Sequence, residues 1–250
     1  MKKTSLQPNG GWMVSVPSGL LLPGVLADGG LPPKRGLVSG VFPKMRIGGL
    51  VPCSLVDFPG KIAAVIFTQG CNFRCLYCHN PHLVYPELFT RSVPWEYIKE
   101  FLEKRRGLLE GVVFCGGEPT IQDDLLDRVR EVRSLGYAVK LDTNGSRSQT
   151  VSDVLPYLDY LAMDIKAPWG PRYSYVCGVR VDEREIQRSI DLIRRSGIPY
   201  EFRTTVHPEY LPREEIEKIR TLLMPEEKYI IQNVRPFKLT VSTRPSPHNL

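Results

Sequence analysis

No stretch of this sequence stays apolar for the length that a membrane span requires. The nearest candidate, GLLLPGVLADGG, is broken by Pro23 and by glycines. A secretory leader is equally poorly supported. Lys2 and Lys3 precede apolar residues 14–22, but Pro17 and Pro23 interrupt them and no small-residue cleavage site follows. The chain therefore reads as cytoplasmic, with no membrane partner. Nor does it hold the cysteines of a secreted disulfide scaffold. It has six in 250 residues, and three of those lie between Cys71 and Cys78. That crowding points to a metal in a reducing compartment.

A basic excess is also missing from most of the chain. The formal charge is +6, but the first 45 residues hold four Lys, one Arg and one Asp, so +4 lies there. No nucleic-acid partner is expected for the remainder. The same segment carries eight glycines and six prolines. Residues 1–44 read as a flexible extension, or else translation begins at Met45, where patterned sequence starts. Residues 45–240 read as one domain and 241–250 as a C-terminal tail.

From Ile62 onward, short β-branched runs alternate with amphipathic stretches. Strands are expected at 62–69, 111–115, 138–142, 160–165, 200–206 and 229–234. Between them Trp95, Ile98, Leu102 and Arg105 share one helical face, and Leu125, Val129, Val132 and Leu135 another, capped by Thr120 before and Gly136 after. A shorter helix is expected over 149–158. Asp182 and Glu185 resemble a capping box ahead of Ile186, Ile190 and Ile193, and Pro212 opens a helix bearing Ile216, Ile219 and Leu223. Six strand–helix units in series predict an α/β fold: a partial, open (β/α)6 barrel of parallel strands with helices outside. Such folds place their chemistry at the C-terminal ends of the strands. Those ends read Gln69-Gly70-Cys71, Gly116-Gly117-Glu118-Pro119, Asp142-Thr143-Asn144-Gly145, Asp164-Ile165-Lys166, His207-Pro208 and Asn233-Val234-Arg235-Pro236. Polar, glycine-rich or ligand-type residues at all six ends point to one common site.

The loop CNFRCLYCHN supplies three thiolates, Cys71, Cys75 and Cys78, and suits zinc or an iron–sulfur cluster. Zinc needs a fourth ligand from His79, His82, Cys53 or Cys115 to close a tetrahedron. His79 adjoins Cys78, and Cys115 ends a buried strand, where a cysteine commonly serves as a small apolar residue. A cluster with three cysteine ligands instead leaves one iron open to a substrate.

The C-x3-C-x2-C loop with Tyr77 before its third cysteine, and GGEP at 116–119, resemble the motifs of the radical S-adenosylmethionine enzymes. SLVDFPGK (54–61), FTQGCNFRCLYCHNP (67–81), VKLDTNG (139–145), AMDIKAP (162–168) and EFRTTVHP (201–208) resemble the activating proteins of glycyl-radical enzymes. Within that group the sequence is most similar to the anaerobic ribonucleoside-triphosphate reductase activating proteins, from about Met45 to about Lys238.

The resemblance implies a 4Fe-4S cluster on Cys71, Cys75 and Cys78, with S-adenosylmethionine chelating its fourth iron. It implies reductive cleavage to a 5'-deoxyadenosyl radical that abstracts hydrogen from a glycine of the partner reductase, fed by a flavodoxin- or ferredoxin-type electron donor. Gly116, Gly117 and Glu118 are implied to receive the methionine moiety, with Glu118 accepting from its ammonium; a simple tight turn is the alternative. Tyr77 and His79 are implied to lie against adenosine, and Asn144 to belong to the same cofactor site. Lys166 would offset the methionine carboxylate, while Asp142 and Asp164 would bind the cofactor or a monovalent cation, or form a structural ion pair. His79 and Asp57 are implied to face the incoming glycine loop.

Several further residues carry their own expectations. Arg203 and Thr205 should point inward with Phe202 and Thr204 outward, and a buried Arg203 needs Asp142 or Asp164. His207 reads as a cofactor contact or a turn histidine, and Cys53 and Cys177 as structural. Residues 232–236 lack the histidine that more distant activases carry, and no cysteine between Cys78 and Cys115 supports an inserted ferredoxin-like region. The competing functions are a radical enzyme acting on a small molecule such as a deazapurine precursor, and a non-enzymatic metal-binding module.

Overall fold

The computed structural model describes residues 45–234. Its seven strands form one sheet in chain order. These are β1 (Ile47–Ser54), β2 (Ala63–Thr68), β3 (Gly111–Gly116), β4 (Ala138–Thr143), β5 (Tyr160–Asp164), β6 (Tyr200–Val206) and β7 (Tyr229–Asn233). From β2 to β7 every neighbour is parallel, as six strand–helix units require. β1 and β7 are the two edges of an open sheet. Both tails lie outside the described residues, as do Arg235 and Pro236.

β1 is an addition to the expected architecture. It runs antiparallel to β2 from Ile47↔Thr68 to Ser54↔Ala63, with two register shifts. Its sequence IGGLVPCS holds two glycines and a proline, which disguise a strand. An edge position tolerates both residue types.

The helices α1 (Trp95–Lys104), α2 (Leu125–Ser134), α3 (Ser148–Val154), α4 (Pro171–Cys177), α5 (Glu183–Arg195) and α6 (Arg213–Arg220) follow the expected faces, apart from α4, which the sequence pattern did not announce. Two capping expectations change. Asp124, not Thr120, flanks the start of α2, and Thr120 lies in a 3-10 turn where its hydroxyl donates to Glu118. Asp182 accepts from Arg184 N at 3.0 Å, but Glu185 turns away to accept from the Ser148 hydroxyl at 2.6 Å. The expected reciprocal box is therefore half formed, and Glu185 ties α5 to α3. Ile186, Ile190 and Ile193 are buried as the stripe of α5.

Strand alternation divides two faces. Ala64, Ile66, Val112, Phe114, Val139, Leu141, Leu161, Met163 and Phe202 join the main core with the helices. The inner face starts as a small apolar cluster of Ala63, Val65, Phe67 and Val113 closed by Phe58 and Tyr160. Across β4 to β6 it becomes charged, through Lys140, Asp142, Asp164 and Arg203. Arg203 points inward and Phe202 outward, as expected. No helix among the described residues is long and apolar enough to cross a membrane.

Candidate active site at the strand ends

The loop after β2 is fixed from three sides. Gly70, at φ +99°, donates its N–H to Leu83 O at 2.7 Å. The Arg74 guanidinium donates to the carbonyls of Cys71 and Phe73, at 2.5 and 2.8 Å. Arg74 N donates to Cys177 O at 2.8 Å and Leu76 N to Val176 O at 3.3 Å, which seats the loop on the end of α4. Asn72 reaches the loop after β4, donating to the Ser146 hydroxyl at 2.7 Å.

The two glycines after β3 are required by close approach. A Cβ on Gly117 would stand 2.0 Å from Gly70 O, and one on Gly116, at φ +118°, 2.3 Å from Thr68 N. Gly117 N and Glu118 N donate to Thr68 O and Gly70 O at 2.9 and 2.8 Å. The missing side chains therefore let the GGEP turn lie directly on the cysteine loop.

Glu118 is buried and accepts four hydrogen bonds. Oε1 takes the N–H and hydroxyl of Thr120 and the hydroxyl of Thr143, and Oε2 takes Asn144 N at 2.7 Å. Burial raises its pKa, opposed by these donors. The acceptor capacity that was expected for a ligand's ammonium is thus used to join the loops after β3 and β4. Asn144 is likewise engaged, donating to Asn72 Oδ1 at 3.1 Å and accepting from Ser146.

A continuous charge ladder runs along the inner face. Lys140 Nζ lies 2.7 Å from Asp142 Oδ1, Arg203 bridges Asp142 (2.9 Å) and Asp164 (3.0 Å), and Lys166 Nζ lies 2.8 Å from Asp164. The expected partner of Arg203 is both aspartates. Burial opposes the charge on Asp164, but Lys166 and Arg203 outweigh it and hold its carboxyl down at about 2. Burial likewise opposes the Lys166 charge, and Asp164 raises its pKa well above the usual range. A monovalent cation here would share carboxylates already facing three fixed cations.

One cleft collects the nominated residues. Cys71, Cys75, Cys78, Tyr77, His79, Gly116, Gly117, Glu118, Asp142, Asn144, Asp164 and Lys166 all line it. Asp57 does not. It sits at the foot of the ladder, where its carboxylate accepts from the Ser54 hydroxyl at 2.5 Å and its carbonyl from Lys140 at 2.6 Å, and burial raises its pKa. Cys115 also lines the cleft, whereas Cys53 is exposed on β1. His207 accepts Glu209 N at Nδ1 as a turn histidine, and its ring stacks on Tyr77.

The thiols differ in environment. Burial, then the Glu118 charge, pushes Cys71 up to about 12, and burial pushes Cys78 up to about 11. Cys75 is lowered to about 7, first by a hydrogen bond from Cys177. Cys177, expected to be an unpartnered structural residue, lies against the cysteine loop instead. Sequence reasoning missed it, together with Lys140, Asn72 and α4; the position of Asn72 inside CNFRCLYCHN was its only available signal.

The donor set fits a thiolate-bound group with a polar ligand beside it. Among the described residues no three His, Cys, Asp or Glu side chains gather into a site for a single metal ion. The buried Tyr77 hydroxyl and Asn80 Oδ1 face the cleft with no hydrogen-bond partner among those residues. The family model described as Radical SAM superfamily matches residues 65–223, more than half of the chain. The chain belongs to the radical SAM superfamily. A protein of Methanocaldococcus jannaschii, provisionally named a glycyl-radical enzyme activating enzyme, is 31% identical over 213 residues, covering 77% of this chain and 81% of that one. The pyruvate formate-lyase-activating enzyme of Clostridium pasteurianum is 28% identical over 189 residues, covering 71% and 76%. Among solved structures, Streptococcus suis SuiB bound to S-adenosylmethionine aligns with TM-score 0.55 at 17% identity, over 70% of this chain and 41% of SuiB. That likeness concerns the fold. The superfamily's cofactors are a 4Fe-4S cluster and S-adenosylmethionine, and this radical SAM enzyme uses both.

Proposed function

We propose that this radical SAM enzyme generates a glycyl radical on a separate protein, and that the protein is an anaerobic ribonucleoside-triphosphate reductase. The observation that carries the reading is the convergence of Cys71, Cys75, Cys78, the GGEP turn, Asp164 and Lys166 on one cleft at the mouth of an open sheet. Named relatives support glycyl-radical activation, and the overall resemblance from about Met45 to about Lys238 supports the choice of reductase.

In this reading Cys71, Cys75 and Cys78 hold the cluster, and Arg74 and Asn72 keep their loop in place. When bound, the cluster and S-adenosylmethionine supply one-electron cleavage of the sulfonium and a radical able to abstract hydrogen. Lys166 offsets the cofactor carboxylate, and the Asp142–Arg203–Asp164 bridge holds Lys166 on the cleft wall. Glu118 contributes by fixing the two loops to each other. Tyr77, whose buried hydroxyl has no hydrogen-bond partner among the described residues, and His79 flank the adenosine, and His79 meets the glycine loop from the open side. A flavodoxin- or ferredoxin-type donor in the cytoplasm supplies the electron.

The test is to reconstitute the cluster without oxygen, reduce it, and follow its electron paramagnetic resonance spectrum as S-adenosylmethionine is added. A changed spectrum is expected, followed by a glycyl doublet when the reductase is supplied. No doublet on the reductase, with a doublet on another glycyl-radical enzyme, would move the target.

A further inference from the structure

A fourth thiol touches the cysteine loop, and the proposed chemistry gives it no task. Cys177 is the last residue of α4, fully buried, and its thiol neighbours that of Cys75. The backbone fixes this placement. Arg74 N donates to Cys177 O and Leu76 N to Val176 O, so α4 ends on the residues either side of Cys75. Gly178 follows at φ +63°, where a Cβ would stand 2.3 Å from Arg74 O. No larger residue could close the helix so near the loop.

We infer that Cys177 is a positioning residue for the cluster, donating its S–H to the Cys75 thiolate and thereby raising the cluster's reduction potential. The inference rests on the proposed cluster ligation. A hydrogen bond to a ligand sulfur withdraws charge from it, and the reduced, more negative cluster gains more from that donor than the oxidised one. Reduction by a protein electron donor becomes easier, while the three ligands and the open iron stay as they are. A cysteine suits the position because it is a compact apolar residue that still carries a donor.

The experiment compares wild type, Cys177→Ala and Cys177→Ser after anaerobic reconstitution. Iron content, a redox titration followed by paramagnetic resonance, and the iron–thiolate stretching bands in resonance Raman are read on each. All three proteins are expected to keep the wild-type iron content. Cys177→Ala shifts the midpoint to more negative potential and raises the stretching frequencies. Cys177→Ser, which retains a hydroxyl donor, returns both toward wild type. Equal midpoints in wild type and Cys177→Ala, with the cluster still answering S-adenosylmethionine, overturn the inference and leave the proposed function standing. Loss of iron from Cys177→Ala also overturns it, because removing a donor leaves every ligand in place. A wild-type chain that takes up no cluster, or whose spectrum ignores S-adenosylmethionine, defeats the underlying reading instead.

Discussion

Lys166 Nζ lies 2.8 Å from Asp164 Oδ2 on the cleft wall, and Arg203 Nε meets the other oxygen of the same carboxylate at 3.0 Å. One aspartate thus holds two largely buried cations, and its loss leaves both short of a partner. Asp164→Asn is expected to cost about 3 kcal/mol, in the range for breaking a buried ion pair. Urea unfolding of the cluster-free protein measures it. A loss under 1 kcal/mol would show that Asp142 alone suffices for Arg203.

The same carboxylate gives a pH dependence. Its folded pKa, about 2, lies below the ordinary 3.8, so its contribution is complete above pH 4 and disappears as pH falls toward 2. The stability gap between wild type and Asp164→Asn should therefore close across that window. A gap that stays constant from pH 4 to 2 contradicts the depressed pKa.

Gly117→Ala and Gly136→Ala should separate crowding from backbone strain. The new Cβ meets Gly70 O at 2.0 Å in the first and nothing within 4 Å in the second, where only φ +91° is unfavourable. Gly117→Ala is expected to lose about 1–3 kcal/mol by overpacking and to impair cluster retention. Gly136→Ala should cost about 1 kcal/mol and leave iron content unchanged. Thermal melting and iron assay after desalting distinguish them.

Glu118→Gln replaces two acceptor oxygens by one acceptor and one donor, facing four donors. A loss of about 1–3 kcal/mol is expected from the unsatisfied group. S-adenosylmethionine affinity should weaken as well, because Asn144 is held by the same carboxylate. Melting and calorimetric titration read the two effects, and a neutral substitution would remove Glu118 from the loop junction.

Cys75→Ala should abolish iron binding, while Cys53→Ala, on exposed β1, should keep the wild-type content. Equal losses would refute this division of the cysteines.

Much of the architecture was legible along the chain. The six parallel strands are short β-branched runs with helical stripes between them, and that pattern survives without knowledge of neighbours. β1 was hidden because Gly48, Gly49 and Pro52 read as loop, and only an edge position makes them acceptable in a strand. α4 was hidden because its seven residues are too few to show a period. The residues nominated for the cofactors line one cleft because parallel strands deliver their C-terminal ends to one side of the sheet. Asp57 falls outside that rule, since it precedes β2 and lies at the opposite end of the strands.

By itself the sequence determined the strand order of chemistry: a three-cysteine loop, a double glycine, then carboxylates and a lysine, each following an apolar run. Spacing within a few residues is a local property, so those groups could be named from the chain alone. Only the tertiary structure decided what each group faces. It gave Glu118 to Thr120, Thr143 and Asn144, shared Arg203 between two aspartates, and set Cys177 against Cys75. Apart from Thr120, those partners are distant in sequence, and packing between a helix end and a loop has no periodicity for a sequence to display.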